Sequence, residues 1–322
     1  MPMRLNLKKD FLLVTAILFA AGCSDGMTEE RNSEQRVPIA FGTQVATRAV
    51  VESDKKNMNN FTLWGWVREN DEPKLFFDAV PVTPSGYYGE KRFWAVGRPY
   101  DFYAVHPERM KENNIATEVS CNDKGELKVT GFDSFGMGKD AVDLMTATKK
   151  DVIYEGGGTM APVPLVFKHE LVQVKLTVCT GEKQAEVSDI RLFGVDYKGD
   201  LQWTPDNSIW QNRVNCTEEN TPFVRNESVR IEAGSSATVL DGVLLLPQSV
   251  TEHVAVTFKY AYSGKPQPDP QETMICLDAA PTKEWIKSSI YHYKITLPAD
   301  DAGVMVKVSV SEWDRKDISA DW

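Results

Sequence analysis

The chain is short of the residues on which most catalytic and metal chemistry depends. Its 322 residues include only five cysteines and four histidines. No two cysteines form a C-x-x-C pair, so a zinc or dithiol redox site has no framework. His106, His169, His253 and His292 each stand alone, without a second ligand at metal spacing. A Gly-x-Ser-x-Gly nucleophile elbow and a zinc-protease helix motif are both missing. Gly156-Gly157-Gly158-Thr159 is not followed by the Gly-Lys-Ser/Thr of a phosphate loop and reads as a connector. Asn122-Asp123-Lys124-Gly125 lacks EF-hand spacing and reads as a turn. Carboxylates are numerous, but sequence alone does not place two of them across a cleft, so glycosidase chemistry is unsupported rather than excluded. No catalytic residue, metal site or cofactor is expected.

Positive charge is also scarce. Thirty-six Lys and Arg stand against 46 Asp and Glu, a net charge of -10. Such a chain gains nothing from counterion release, so nucleic acid is not an expected partner. Long apolar runs are confined to one, Phe11 to Ala21, interrupted only by Thr15. It follows the basic residues Arg4, Lys8 and Lys9, is too short for a permanent membrane span, and ends in small residues as a processed signal does. Residues 1–22 therefore read as an export signal. Ala20-Ala21-Gly22-Cys23 resembles the bacterial lipobox, departing from it at Ala20, where Leu is usual. The resemblance implies cleavage before Cys23 and a lipid on its thiol, anchoring the chain to the outer membrane. Cleavage by ordinary signal peptidase at an Ala-x-Ala-like site is the competing reading. Loss of Arg4, Lys8, Lys9 and Asp10 leaves 33 basic and 45 acidic residues, a net of -12.

Residues 24–36 are polar and read as a tether. Their acidic members Asp25, Glu29 and Glu30 suit either a solvated linker or a surface-export signal. The remaining Cys121, Cys179, Cys216 and Cys276 admit two disulfides or, the reading we prefer, small buried apolar residues. The 300 residues past the signal suit two domains of about 150 each.

What fills those 300 residues is strand. Val37, Ile39 and Phe41 alternate in VPIAFGTQVATRA (37–49). FTLWGWV (61–67) puts Phe61, Leu63 and Gly65 on one face and Thr62, Trp64 and Trp66 on the other. RFWAVG (92–97) and YDFYAVHP (100–107) read as strands, and 118–129 as a hairpin. Residues 131–162 are rich in glycine and polar residues and read as a connector at a domain boundary. Val172, Val174, Leu176 and Val178 share a face of 171–178. Further strands are expected at 163–169, 187–195, 228–233, 242–247, 254–262, 290–297 and 304–313. Several short strands with turn signals between them predict an all-β chain of β-sandwiches.

The ordered pieces IAFGTQVATRA, FTLWGWV, RFWAVGRPYDFYAVHP, DLMTATKKDV, VPLVFKHELVQVKLTV, LLLPQSV, EWIKSSIYHYKITL and VKVSVSEW follow a lipoprotein signal, and together they resemble the fimbrillin family, the subunits of type V pili. The resemblance spans nearly the whole mature chain. It implies two consecutive transthyretin-like β-sandwich domains, 49–160 and 161–322, after a removable segment 23–48. It also implies a delivery route: export as a lipoprotein to the cell surface, then cleavage by an arginine-specific protease. By position the cut falls between Arg48 and Ala49. The partners implied are other pilin subunits joined by strand addition, in which Val37, Ile39, Phe41 and Val45 are displaced pocket-fillers and a partner's segment matching 304–322 replaces them. Read from residue chemistry alone, Arg48 is a loop arginine and 37–45 a permanent strand. If 304–313 completes the second domain, the chain accepts a donor without giving one, as a tip or accessory subunit would. A different class of function is a surface glycan-binding lipoprotein for nutrient uptake, which would use exposed Trp and Tyr, such as Trp64, Trp203, Trp210 or Trp285, as stacking platforms.

Overall fold

A computed structural model describes residues 36–45, 60–134, 137, 141–263, 270–298 and 305–312. Cys23, Arg48, Ala49, the export signal and the tether up to Gln35 lie outside the described residues. Those described belong to one compact unit that begins at Arg36. The fold is all-β: among the described residues the only helical element is a 3-10 turn at Leu277–Ala279. No helix there is long and apolar enough to cross a membrane.

The first half contains β1 (Phe41–Val45), β2 (Phe61–Glu69), β3 (Glu72–Val82), β4 (Pro99–His106), β5 (Glu118–Cys121), β6 (Leu127–Asp133), β7 (Met145–Ile153) and β8 (Val163–His169). Six of these form a sheet in the order β1-β8-β7-β4-β2-β3. The sheet curls until its outer strands meet, with the Phe41 and Phe77 rings 5.7 Å apart. Phe61, Leu63, Phe77, Tyr100, Phe102, Leu165 and Phe167 fill the core inside this curl. The expected faces of 61–67 are seen, but both are buried. Phe61 and Leu63 enter the curl, while Trp64 and Trp66 enter a second cluster on the other side.

The second half contains β9 (Val172–Cys179), β10 (Ala185–Phe193), β11 (Asp196–Thr204), β12 (Asn207–Asn215), β13 (Val224–Arg225), β14 (Val229–Ile231), β15 (Ser236–Leu245), β16 (Gln248–Ser249), β17 (Ala255–Tyr262), β18 (Gln271–Cys276), β19 (Glu284–Trp285), β20 (Ser289–Thr296) and β21 (Met305–Glu312). Two sheets, β15-β9-β20-β21 and β13-β10-β17-β18, enclose its core. Val172, Val174, Leu176 and Val178 all point into that core, as their alternation predicts. A further sheet, β12-β11-β6-β5, takes one hairpin from each half. It covers the cluster of Trp64, Trp66, Tyr103, Leu201, Trp203 and Trp210. Ion pairs add to this join: Lys198 to Asp133 at 2.6 Å, and Lys287 to the buried Glu170 at 2.8 Å.

Two sequence expectations are corrected, and one hairpin is added. Residues 92–97 make a single bridge, Phe93 to Pro38, and then turn, because Gly97 adopts a left-handed φ of +70°. The connector expected at 131–162 holds β7, a strand in the middle of the first sheet. Its exposed Lys149, Lys150 and Asp151, between glycine-rich flanks, hide the strand from hydrophobic patterning. The hairpin β11-β12 went unread because β12 is NSIWQNRVN, with only Trp210 fully buried.

Candidate functional site

The expected pocket-fillers Val37, Ile39, Phe41 and Val45 lie on β1 and the four residues before it. Val37, Ile39 and Phe41 are 8%, 2% and 3% exposed, and Val45 is half-buried. Phe41 lies edge-on to three aromatic rings, Phe102 at 5.2 Å and Phe77 and Tyr88 at 5.7 Å. This is the arrangement aromatic quadrupoles favour over face-to-face stacking.

Main-chain contacts enclose the same segment from both sides. On one side β1 runs parallel to β8, from Phe41 opposite Val163 to Val45 opposite Phe167. The Val163 N–H donates to the Ala40 carbonyl at 2.7 Å. On the other side lies a strap, residues 83–94, that follows β3. The Ile39 N–H donates to the Arg92 carbonyl at 2.8 Å, and the Trp94 N–H to the Val37 carbonyl at 3.0 Å. The Thr43 hydroxyl donates to the Pro84 carbonyl at 3.0 Å. Backbone groups in a strand alternate in direction, so an edge strand leaves half of them unpaired unless something covers it. The strap supplies that cover.

Tyr88 and Gly86 shape the strap. The Tyr88 hydroxyl donates to the Ile39 carbonyl at 2.8 Å and accepts from the Arg92 N–H at 3.2 Å. Burial pushes its pKa above the ordinary tyrosine value. The Arg92 guanidinium lies 4.7 Å from the Phe77 ring centre, a cation–π contact that fixes the strap to β3. Gly86 has a φ of +82°, and a Cβ there would stand 2.2 Å from the Phe41 carbonyl oxygen. Thr83-Pro84-Ser85-Gly86 announces a turn in sequence, but nothing local shows that the turn closes over a strand more than forty positions earlier.

The opposite terminus is built differently. β21 pairs antiparallel with β20 over eight positions, from Met305 opposite Thr296 to Glu312 opposite Ser289. It completes the edge of its sheet, as one of the two readings of 304–313 expected. Only Val306 and Val308 pack partly on the core, while Met305 and Val310 are 59% and 50% exposed.

The remaining candidates are not brought together. His106, His169 and His292 are bonded to the Asn60 carbonyl, the Asp143 carboxylate and the Thr177 hydroxyl respectively, and His253 is exposed beside Glu252. No group of three potential ligands is placed to hold a metal among the described residues. Cys121, Cys179, Cys216 and Cys276 are free thiols. Burial pushes the Cys121 thiol up to about 12 and the Cys216 thiol in the same direction, which keeps both protonated. Trp64, Trp203, Trp210 and Trp285 are at most 7% exposed, so these four offer no stacking platform for a glycan. Strands packed on both faces turn both sets of alternating aromatics inward. A polar cleft of about 730 Å³, lined by residues such as Asp196, Arg213, Gln248 and Glu284, has no aromatic wall.

Comparison with known proteins agrees with this architecture. No curated protein matches the chain. A fimbrial protein from Bacteroides vulgatus has the same fold at a TM-score of 0.58 and 15% identity, with 86% of this chain and 99% of that one covered. A candidate cell adhesion protein from Bacteroides ovatus aligns at a TM-score of 0.50 and 13% identity, covering 88% and 100%. The family model described as fimbrillin-like matches residues 47–313, well over half of the sequence, and on that match the chain belongs to the fimbrillin-like family.

Proposed function

We propose that this chain is a structural subunit of a cell-surface type V pilus, delivered as a lipoprotein and assembled by strand exchange at the β1 seat. Membership of the fimbrillin-like family supports a pilus-type subunit at the cell surface. The observation that carries the finer reading is the seat itself. β1 is a terminal edge strand, and Val37, Ile39 and Phe41, just before and within it, are buried. Its removal bares both a row of backbone groups and the pockets of those side chains, which an incoming strand restores together. The family match covers residues 47–313 and so begins two positions past the end of β1.

In this proposal the lipid on Cys23 holds the subunit in the outer membrane. An arginine-specific protease then cuts between Arg48 and Ala49, and a neighbouring subunit's strand takes the place of β1, giving a polymer that serves adhesion. A two-domain organisation belongs to the same proposal, supported by one core drawn from residues 37–167 and another from 172–297, beside the cluster that both halves share. The test is N-terminal sequencing of the protein recovered from surface polymers. Chains starting at Ala49 are expected. Polymers whose chains all start at lipidated Cys23 would overturn the processing step.

A further inference from the structure

We propose that the β1 seat selects its occupant by a phenylalanine-sized ring at the position of Phe41. The strand that follows β1 is then that of a different polypeptide, not residues 304–322 of a second copy. This rests on the strand-exchange reading. The seat presents three pockets at alternate positions, filled by Val37, Ile39 and Phe41 and closed to solvent. The third is walled by Phe77, Tyr88 and Phe102, with rings 5.2–5.7 Å from that of Phe41. Protein interiors of this density tolerate neither a void nor an overfill without loss.

The chain's own C-terminal segments do not match. Residues 305–312 contain no aromatic residue. Their best alternating series is Val306, Val308 and Val310, which sets a valine where a ring is required in either strand direction. The other face offers Met305, Lys307, Ser309 and Ser311 before Trp313, so if that indole takes the place of the ring, serines stand where valine and isoleucine are required. The same residues are already paired along their whole length with β20. Further on, Ile318, Ala320 and Trp322 repeat the two-residue spacing. There an alanine underfills the pocket of Ile39, and an indole exceeds the space that a phenyl ring fills.

The experiment uses the full chain with a single specific protease site placed after Arg48, so that β1 is cut free of covalent attachment but left in place. Competitor peptides are then added, and release of β1 is followed by mass and by anisotropy of a label on its N-terminus. A peptide of residues 36–46 is expected to displace β1. The same peptide carrying Phe41→Val is expected to be at least about tenfold weaker. Peptides 304–312 and 313–322 are expected to leave β1 bound. Displacement by either C-terminal peptide within about tenfold of peptide 36–46, or equal strength of the Phe41→Val peptide, overturns the selectivity while leaving strand exchange intact. If peptide 36–46 itself never exchanges, the strand-exchange reading falls and the selectivity with it.

Discussion

The two terminal strands both lie at sheet edges, and they are held there by opposite means. β21 has eight antiparallel pairs with β20, yet Met305 and Val310 are more than half or about half exposed. β1 has five parallel pairs with β8, yet Ile39 and Phe41 beside and within it are almost fully buried. A backbone hydrogen bond contributes about 0.5–1.5 kcal/mol net, whereas burying an isoleucine or phenylalanine side chain contributes about 1.5–3 kcal/mol. β21 relies on the first kind of contact and β1 on the second. The difference bears on specificity. Any extended segment can satisfy a row of backbone groups, but only one with suitable side chains can fill a row of pockets.

The largest effect that separates the two strands is expected from Phe41→Ala. It removes a ring from a closed pocket walled by three others. The expected loss is about 3–5 kcal/mol, read from the urea midpoint at unchanged denaturant slope. A loss below about 1 kcal/mol would mean that the pocket collapses without penalty, and β1 would then be no more anchored than β21.

Two glycines sharpen the same comparison with a smaller effect. Gly86 and Gly97 both have left-handed φ angles, +82° and +70°, so alanine strains each by a similar amount. Only at Gly86 does the new Cβ meet β1, at 2.2 Å from the Phe41 carbonyl; at Gly97 it meets nothing within 4 Å. Gly86→Ala is expected to cost at least about 1 kcal/mol more than Gly97→Ala. Hydrogen exchange at Gly42 and Gln44 should quicken in the first variant alone. Equal exchange in both would remove the strap from any role in holding β1.

How much of this was legible in sequence follows from the range of the contacts. The buried positions Val37, Ile39 and Phe41 show in their alternation, because a period of two is a local property, although the strand itself is confined to Phe41–Val45. The strand at 171–178 was legible for the same reason. The strap was not: its hold on β1 passes through Tyr88 and Gly86, forty-nine positions from Ile39 in the first case, and no local pattern encodes that distance. Strands β7 and β12 were hidden by their polar residues, which the sheets tolerate because most of β12 and the run Lys149–Asp151 of β7 are exposed. The burial of Trp64 and Trp66 needed the hairpin β11-β12, which sequence patterning had passed over.

Next in size is Tyr88→Phe, which deletes the hydroxyl bond to the Ile39 carbonyl while keeping the ring against Phe41. The expected loss is about 0.5–1.5 kcal/mol near neutral pH. The pH dependence has a definite sign. Burial raises the Tyr88 pKa above 10.0, so the folded state holds this proton more tightly than the unfolded state does. Its contribution is complete below pH 10 and is lost as the pH climbs through the raised folded value. Tyr293, on β20, is pushed up to about 12 by burial and acts in the same direction. Urea midpoints at pH 8 and pH 11 should therefore differ less in Tyr88→Phe than in the parent chain. An unchanged difference would mean that Tyr88 does not couple ionisation to the seat.

The smallest effect is expected at Val310, and a small effect there is the informative outcome. Val310 shares a face of β21 with Val306 and Val308, but unlike them it does not pack on the core and is 50% exposed. It stands opposite Tyr291, which is buried. Threonine keeps the β-branched shape and the strand propensity, so Val310→Thr removes only apolar contact. The stability change should stay within about 0.5 kcal/mol, because surface substitutions away from packed features do so. A loss approaching that of Phe41→Ala would show β21 to be pinned through its side chains after all. The two edges would then be alike, and the argument that one is selective and the other permissive would fail at its permissive end.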